Sequence, residues 1–220
     1  MPSAPFRAVL LLAPLLALSA PARAAFSDPA GDFLTTYTGP HNGDMDVTSI
    51  DVHLNAGVFT LAATLAGTVG TTANALYVWG LDRGAGLQRF QLTTPANPVA
   101  IGPGVTFDSV LIINPGAGTI VFTDIAGGGV TTALGSSALQ ISGNAITAEL
   151  PVADTPSKGR TPEQFGFNLW PRQGLGLNTQ VSDFAPDASD LLATVPAPGS
   201  ASVFGLALAA FLALRRRKPV

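Results

Sequence analysis

The sequence predicts an all-β fold, an antiparallel β-sandwich of jelly-roll-like type, on three observations. Hydrophobicity alternates with period two over several short runs, turn-forming residues separate those runs, and the body of the chain contains no convincing amphipathic helix. Composition agrees: the 220 residues include 24 Gly and 18 Pro, and only 11% are charged, which suits turns and short strands better than long solvated helices. The chain has no Cys, so disulfides, thiolate metal sites and cysteine nucleophiles are excluded together.

In chain order, Ile50, Val52 and Leu54 alternate with Asp51 and His53. After the turn Asn55-Ala56-Gly57, Phe59, Leu61, Ala63 and Leu65 alternate with Thr60, Ala62 and Thr64, so the pair reads as a hairpin with one buried face. Further strands are expected at Leu76–Leu81, Arg89–Thr93, Val105–Phe107, Val110–Ile113, Thr119–Asp124, Leu139–Ser142, Ala145–Leu150 and Phe165–Trp170. Asn114-Pro115-Gly116 and Ser142-Gly143-Asn144 supply tight turns, while Pro95–Pro103 and Gly127–Gly129 read as loops. Residues 185–200 read as a Pro/Ala/Ser-rich spacer. Eight to ten short strands with frequent turns form a sandwich over residues 25–190, about enough chain to bury one core without disulfides.

The two ends carry an address. Residues 1–24 place Arg7 before the apolar run Ala8–Leu18, which Pro14 interrupts, and end in Ala22-Arg23-Ala24, a pattern that a signal peptidase accepts. Residues 191–220 contain Val195-Pro196-Ala197-Pro198, an apolar segment over 203–214, and the basic stop Arg215-Arg216-Arg217-Lys218. Twelve residues give a helix of about 18 Å, short for a bilayer and dependent on snorkelling arginines. The cations hold the extreme C-terminus in the cytoplasm and leave the body outside.

This tripartite tail resembles the PEP-CTERM sorting signal of exported bacterial proteins, with Pro196-Ala197-Pro198 standing where that signal has Pro-Glu-Pro. The resemblance covers about the last 26 residues. It implies recognition by an exosortase-type processing enzyme, transient residence in the inner membrane, and delivery to the cell surface or extracellular matrix of a Gram-negative envelope. An ordinary C-terminal anchor behind a Pro-rich linker is the other reading of the same residues.

Between the signals, Arg83, Arg89, Lys158, Arg160 and Arg172 are the only cations against all 14 acidic residues. Such an acidic body repels nucleic acid and anionic lipid and suits divalent cations. Asp28-Pro29-Ala30-Gly31-Asp32 and Asp44-Met45-Asp46 place four carboxylates on loops before the first firm strand, together with main-chain carbonyls near Gly31 and Gly43. Hard oxygen donors of this kind bind Ca²⁺; the same aspartates also cap turns before Pro and Gly. The spacing is not that of an EF-hand, since no Glu precedes Glu149. The arrangement Asp28–Asp32, Asp44–Asp46, an alternating strand pair and a later Gly143-Asn144 hairpin is similar to DOMON-like and family-nine carbohydrate-binding sandwiches. That resemblance implies a surface module that binds sugars, haem or calcium.

Trp79 and Trp170 lie in strand-like runs, where they either stack on an extracellular polysaccharide or fill the core. His41 and His53 do not make a zinc set, no Gly-x-Ser-x-Gly elbow is present, and no Gly-rich phosphate loop occurs. Asp183 with Asp187, or Asp82 with Asp124, are the carboxylate pairs that glycoside hydrolysis would require. The sequence therefore reads as an exported, non-catalytic surface module of structural or adhesive type, with a calcium-dependent carbohydrate-binding module as the alternative and an envelope hydrolase behind it.

Overall fold

The computed structural model describes residues 25–195. The expected signal peptide over 1–24, Pro196–Pro198, the apolar segment 203–214 and Arg215–Lys218 lie outside the described residues. Among the described residues, no helix is long and apolar enough to cross a membrane.

The body is all-β. Its strands are β1 (Phe26–Ser27), β2 (Val47–Asn55), β3 (Val58–Leu65), β4 (Ala75–Asp82), β5 (Ser109–Asn114), β6 (Thr119–Asp124), β7 (Val130–Ala133), β8 (Leu139–Ser142), β9 (Ala145–Pro151), β10 (Gly166–Gln173) and β11 (Leu191–Leu192). They form two antiparallel sheets, one ordered β1-β2-β3-β9-β8 and the other β11-β10-β4-β5-β6-β7. The β2–β3 hairpin pairs Leu54 with Phe59 and Val52 with Leu61. Its turn places Ala56 and Gly57 at positive φ, as a two-residue hairpin turn demands.

Period two explains the interface between the sheets. Ile50, Val52 and Leu54 of β2 and Phe59, Leu61 and Ala63 of β3 bury the same face, which meets Tyr77, Trp79 and Leu81 of β4 and Phe167 and Leu169 of β10. Phe59 lies 5.6 Å from Phe165 and 5.1 Å from Phe167 across this core.

The six-stranded sheet is also covered on its outer face. Leu76 and Val78 of β4, Val110 of β5 and Trp170 of β10 pack there beneath Phe90, Val105, Phe107 and Phe184 of the connecting loops. This second layer accounts for two differences from the expected elements. Arg89–Thr93 is not a strand: Arg89–Gln91 form a 3₁₀ turn, because Phe90 inserts into the outer layer while Leu92 stays exposed and the backbone bonds locally from Leu92 N to Arg89 O. Val105–Phe107 contributes only an isolated bridge between Leu87 and Phe107, and its apolar residues are buried by the same layer.

Two further differences concern edges. β7 pairs with β6, and all four of its residues are exposed, so no alternation marks it in the sequence. The expected spacer is part of the body for ten residues: Ala185 pairs with Leu169, Leu191 with Phe167, and Thr194 with His53. Backbone bonds run from Leu54 N to Thr194 O and from Thr194 N to Val52 O, so the segment crosses from the six-stranded sheet to the five-stranded one.

Arg83, immediately after β4, is fully buried. Its Nε donates to Asp108 Oδ1 at 2.7 Å, its Nη1 to Pro156 O at 3.0 Å, and its Nη2 to Asp124. Lys158 approaches Asp124 at 3.2 Å, and Arg160 approaches Asp82 at 2.8 Å. Replacing Arg83 with Met strands Asp108 as a buried charge, so the R83M chain is expected to lose about 3–5 kcal/mol in denaturant unfolding. Gly80 sits beneath Trp170, where a Cβ would come within 2.4 Å of the indole. Gly80→Ala should cost about 1–3 kcal/mol in the same measurement, through overpacking of the outer layer.

Candidate functional site

The site lies where the segment preceding β2 meets the segment following β10. Asp28 is anchored by its own N–H, which donates to Thr48 O at 3.0 Å. The chain then turns through Gly31, at φ 87°, and the Gly31 N–H donates to Asp46 Oδ2 at 2.8 Å. Met45, fully buried, fixes the approach to β2. From the other side, Ser182 Oγ bonds Met45 O at 2.7 Å and Pro171 O at 3.0 Å. Asp183 accepts from Val47 N at 2.8 Å through Oδ2 and from Phe184 N at 2.7 Å through Oδ1. Phe184 is held at the outer face of the six-stranded sheet, 6.1 Å from Trp170 and 5.0 Å from Phe90, so its packing sets the position of the neighbouring carboxylate.

Asp28, Asp32 and Asp183 each offer a carboxylate oxygen within 4.8 Å of the others. Asp46 and Asp187 join the same field, raising Asp28 by repulsion alongside Asp32. Asp28 is only 6% exposed, yet both of its side-chain oxygens lack a hydrogen-bond partner; so do the buried Oδ1 atoms of Asp32 and Asp46. Buried carboxylate oxygens are ordinarily satisfied. The ion pairs among the described residues engage Asp82, Asp108 and Asp124 instead.

Burial, followed by repulsion from Asp187, Asp32 and Asp46, pushes the Asp28 carboxyl up to about 7. Burial also pushes Asp183 up to about 8, opposed by the Val47 N–H and reinforced by Asp28 and Asp32. Asp46 is raised chiefly by burial, and Asp187 by burial and Asp32. The group thus holds more negative charge than its surroundings stabilise. It can take up protons or a cation, and its all-oxygen donor set is that of a hard divalent ion such as Ca²⁺.

Of the four aspartates singled out in the sequence, the structure brings Asp28, Asp32 and Asp46 together and sets Asp44 apart. Asp44 is fully buried, accepting from Thr72 Oγ1 at 2.6 Å and Thr72 N at 2.7 Å. Its place in the group is taken by Asp183 and Asp187, which the sequence offered only as a hydrolytic pair and which lie some 150 residues further along the chain. Local spacing carries no signal for such a distant partner.

Both indoles are buried. Trp79 lies in the core between the sheets, and Trp170 lies beneath Phe90, Phe107 and Phe184, so neither ring offers a face for stacking on a polysaccharide. His53 bonds Thr194 Oγ1 at 2.8 Å, whereas His41 stacks on Phe33 at 4.4 Å on a different segment, so the two do not converge. Asp82 and Asp124 both lie below the usual carboxylate range. For each, burial pulls upward but is outweighed: at Asp82 by the Gly84 N–H, the Thr106 hydroxyl, the Gly86 N–H and Arg160, at Asp124 by Arg83, the Gly127 N–H and Lys158. Neither suits the role of a proton-donating acid, which requires a raised carboxyl. In comparisons with known proteins, no family model matches the chain and no curated protein matches it.

The carboxyl shifts imply a pH dependence with a definite sign. Asp28 and Asp183 have folded values above the ordinary 3.8, so their contribution to stability is complete below about pH 4 and is lost as pH rises through about 7–8. In chelator, the thermal unfolding midpoint should therefore fall between about pH 4 and pH 8, and saturating Ca²⁺ should remove most of that fall.

Proposed function

We propose that this chain is an exported, non-catalytic β-sandwich of the bacterial cell surface or extracellular matrix, structural or adhesive in role and stabilised by a bound calcium ion. The observation that carries the calcium reading is Asp28, a buried carboxylate with both oxygens unpartnered, facing Asp32 and Asp183. Asp28, Asp32 and Asp183 would hold the ion, with Asp46 and Asp187 adding negative field, and neutralisation of their mutual repulsion is what it supplies. The jelly-roll-like reading of the sandwich belongs to this proposal, as does its delivery. The leader over 1–24 directs export, and Pro196, Pro198, the 203–214 segment and Arg215–Arg217 present the tail to an exosortase-type enzyme at the inner membrane.

The hydrogen bonds and ion pairs that hold Asp82 and Asp124 ionised count against a glycosidase built on that pair. Burial of Trp79 and Trp170 favours the structural or adhesive reading over carbohydrate binding through those rings.

Calcium titration of the isolated full chain should give one site per chain, with a dissociation constant in the range of extracellular modules, about 10⁻⁴–10⁻³ M. Asp28→Asn should weaken it at least about tenfold, as loss of a charged ligand does. Failure to bind calcium would remove the site. For the address, intact mass and fractionation of the native protein are expected to show both ends removed and the body outside the inner membrane. Retention of the Arg-ending tail in the membrane fraction would instead support a permanent anchor.

A further inference from the structure

We infer that the cation site is a clasp that closes the two ends of the folded body on each other, an inference resting on the calcium reading above. Its ligands come from two segments at opposite ends of the body, Asp28 and Asp32 before β2 and Asp183 after β10. An ion held among them bridges the beginning of the chain to the stretch that leads into Val195 and the Pro motif.

The protein's own ties across this seam are hydrogen bonds. Leu34 N donates to Ser182 O at 2.8 Å, Thr38 N and Oγ1 donate to Thr179 O at 3.1 and 3.3 Å, Val47 N donates to Asp183 Oδ2 at 2.8 Å, Ser182 Oγ donates to Met45 O at 2.7 Å, and further along Thr194 exchanges backbone bonds with Val52 and Leu54. The outermost strands are short: β1 pairs with β2 through Phe26 and Ser27 alone, and β11 pairs with β10 through Leu191 and Leu192 alone. Against these ties stands the repulsion among the carboxylates, with both oxygens of Asp28 and the Oδ1 atoms of Asp32 and Asp46 lacking donors. Two-residue edge strands such as β1 and β11 open locally at lower free-energy cost than the central strands. An ion that binds only the closed seam suppresses opening in proportion to its occupancy. Since ligands sit on both segments, both must be released together when it leaves.

Hydrogen exchange followed by mass spectrometry on the full chain, in chelator and in Ca²⁺, tests this, with calcium binding titrated on the same sample. At about a hundred times the dissociation constant, amides of residues 26–34 and 182–194 should exchange about a hundredfold more slowly, while those of β5 and β6 keep their rates. Asp32→Asn should reduce the protection of both segments together without altering exchange in β5 and β6. Calcium binding with unchanged exchange at the two ends, or with protection of only one, would overturn the clasp and leave the site standing. Absence of calcium binding would overturn the site and the clasp with it.

Discussion

The constraint on which the rest of the structure depends is that β4 and β10 are buried on both faces. One face closes the core against β2 and β3; the other must be covered by something other than a sheet. A strand pair buried on both sides cannot lie against water without exposing Leu76, Val78 and Trp170. The loops after β4 and after β10 are drawn over it by Phe90, Phe107 and Phe184, and this decides where the polar residues attached to those loops end up. Asp183 precedes Phe184, so seating that ring above Trp170 sets a carboxylate beside the segment that leads into β2.

The body handles buried charge in two contrasting ways. Around Arg83 the charges compensate: one guanidinium reaches Asp108 and Asp124, Lys158 completes Asp124, and Arg160 serves Asp82. At the other site, carboxylates face carboxylates, and only backbone N–H groups from Gly31, Val47 and Phe184 oppose the repulsion. The first is self-sufficient, in that its large burial cost is offset by opposite charge and by donors from the backbone. The second is complete only with a proton or a cation added. This difference is why the same residue type, Asp, is a structural element at one location and a functional candidate at the other.

The strands whose one face is buried and whose other face is solvated were legible because alternation of apolar and polar side chains follows directly from the pleat: β2, β3, β6 and β9 are examples. Arg89–Thr93 has the same alternation and is not a strand, because its phenylalanine serves the outer layer rather than a sheet face. β7 was illegible for the opposite reason, since an exposed edge strand needs no apolar residue. For the site, Asp28 and Asp32 stood out by their Pro-Gly context. Asp44, on a loop beside Gly43, is consumed by Thr72, and Asp183 stood out in the sequence only as a carboxylate paired with Asp187, not as a metal ligand.

The sequence by itself determined the β class and the acidic balance of the body, because composition, periodicity and charge runs are local properties that survive without knowledge of neighbours. Tertiary structure alone decided which aspartates converge, which indole faces are accessible, and that residues 185–194 pack instead of hanging free. Each of these depends on the burial of one segment against another far along the chain, and burial is a property of the pair that neither segment's sequence contains.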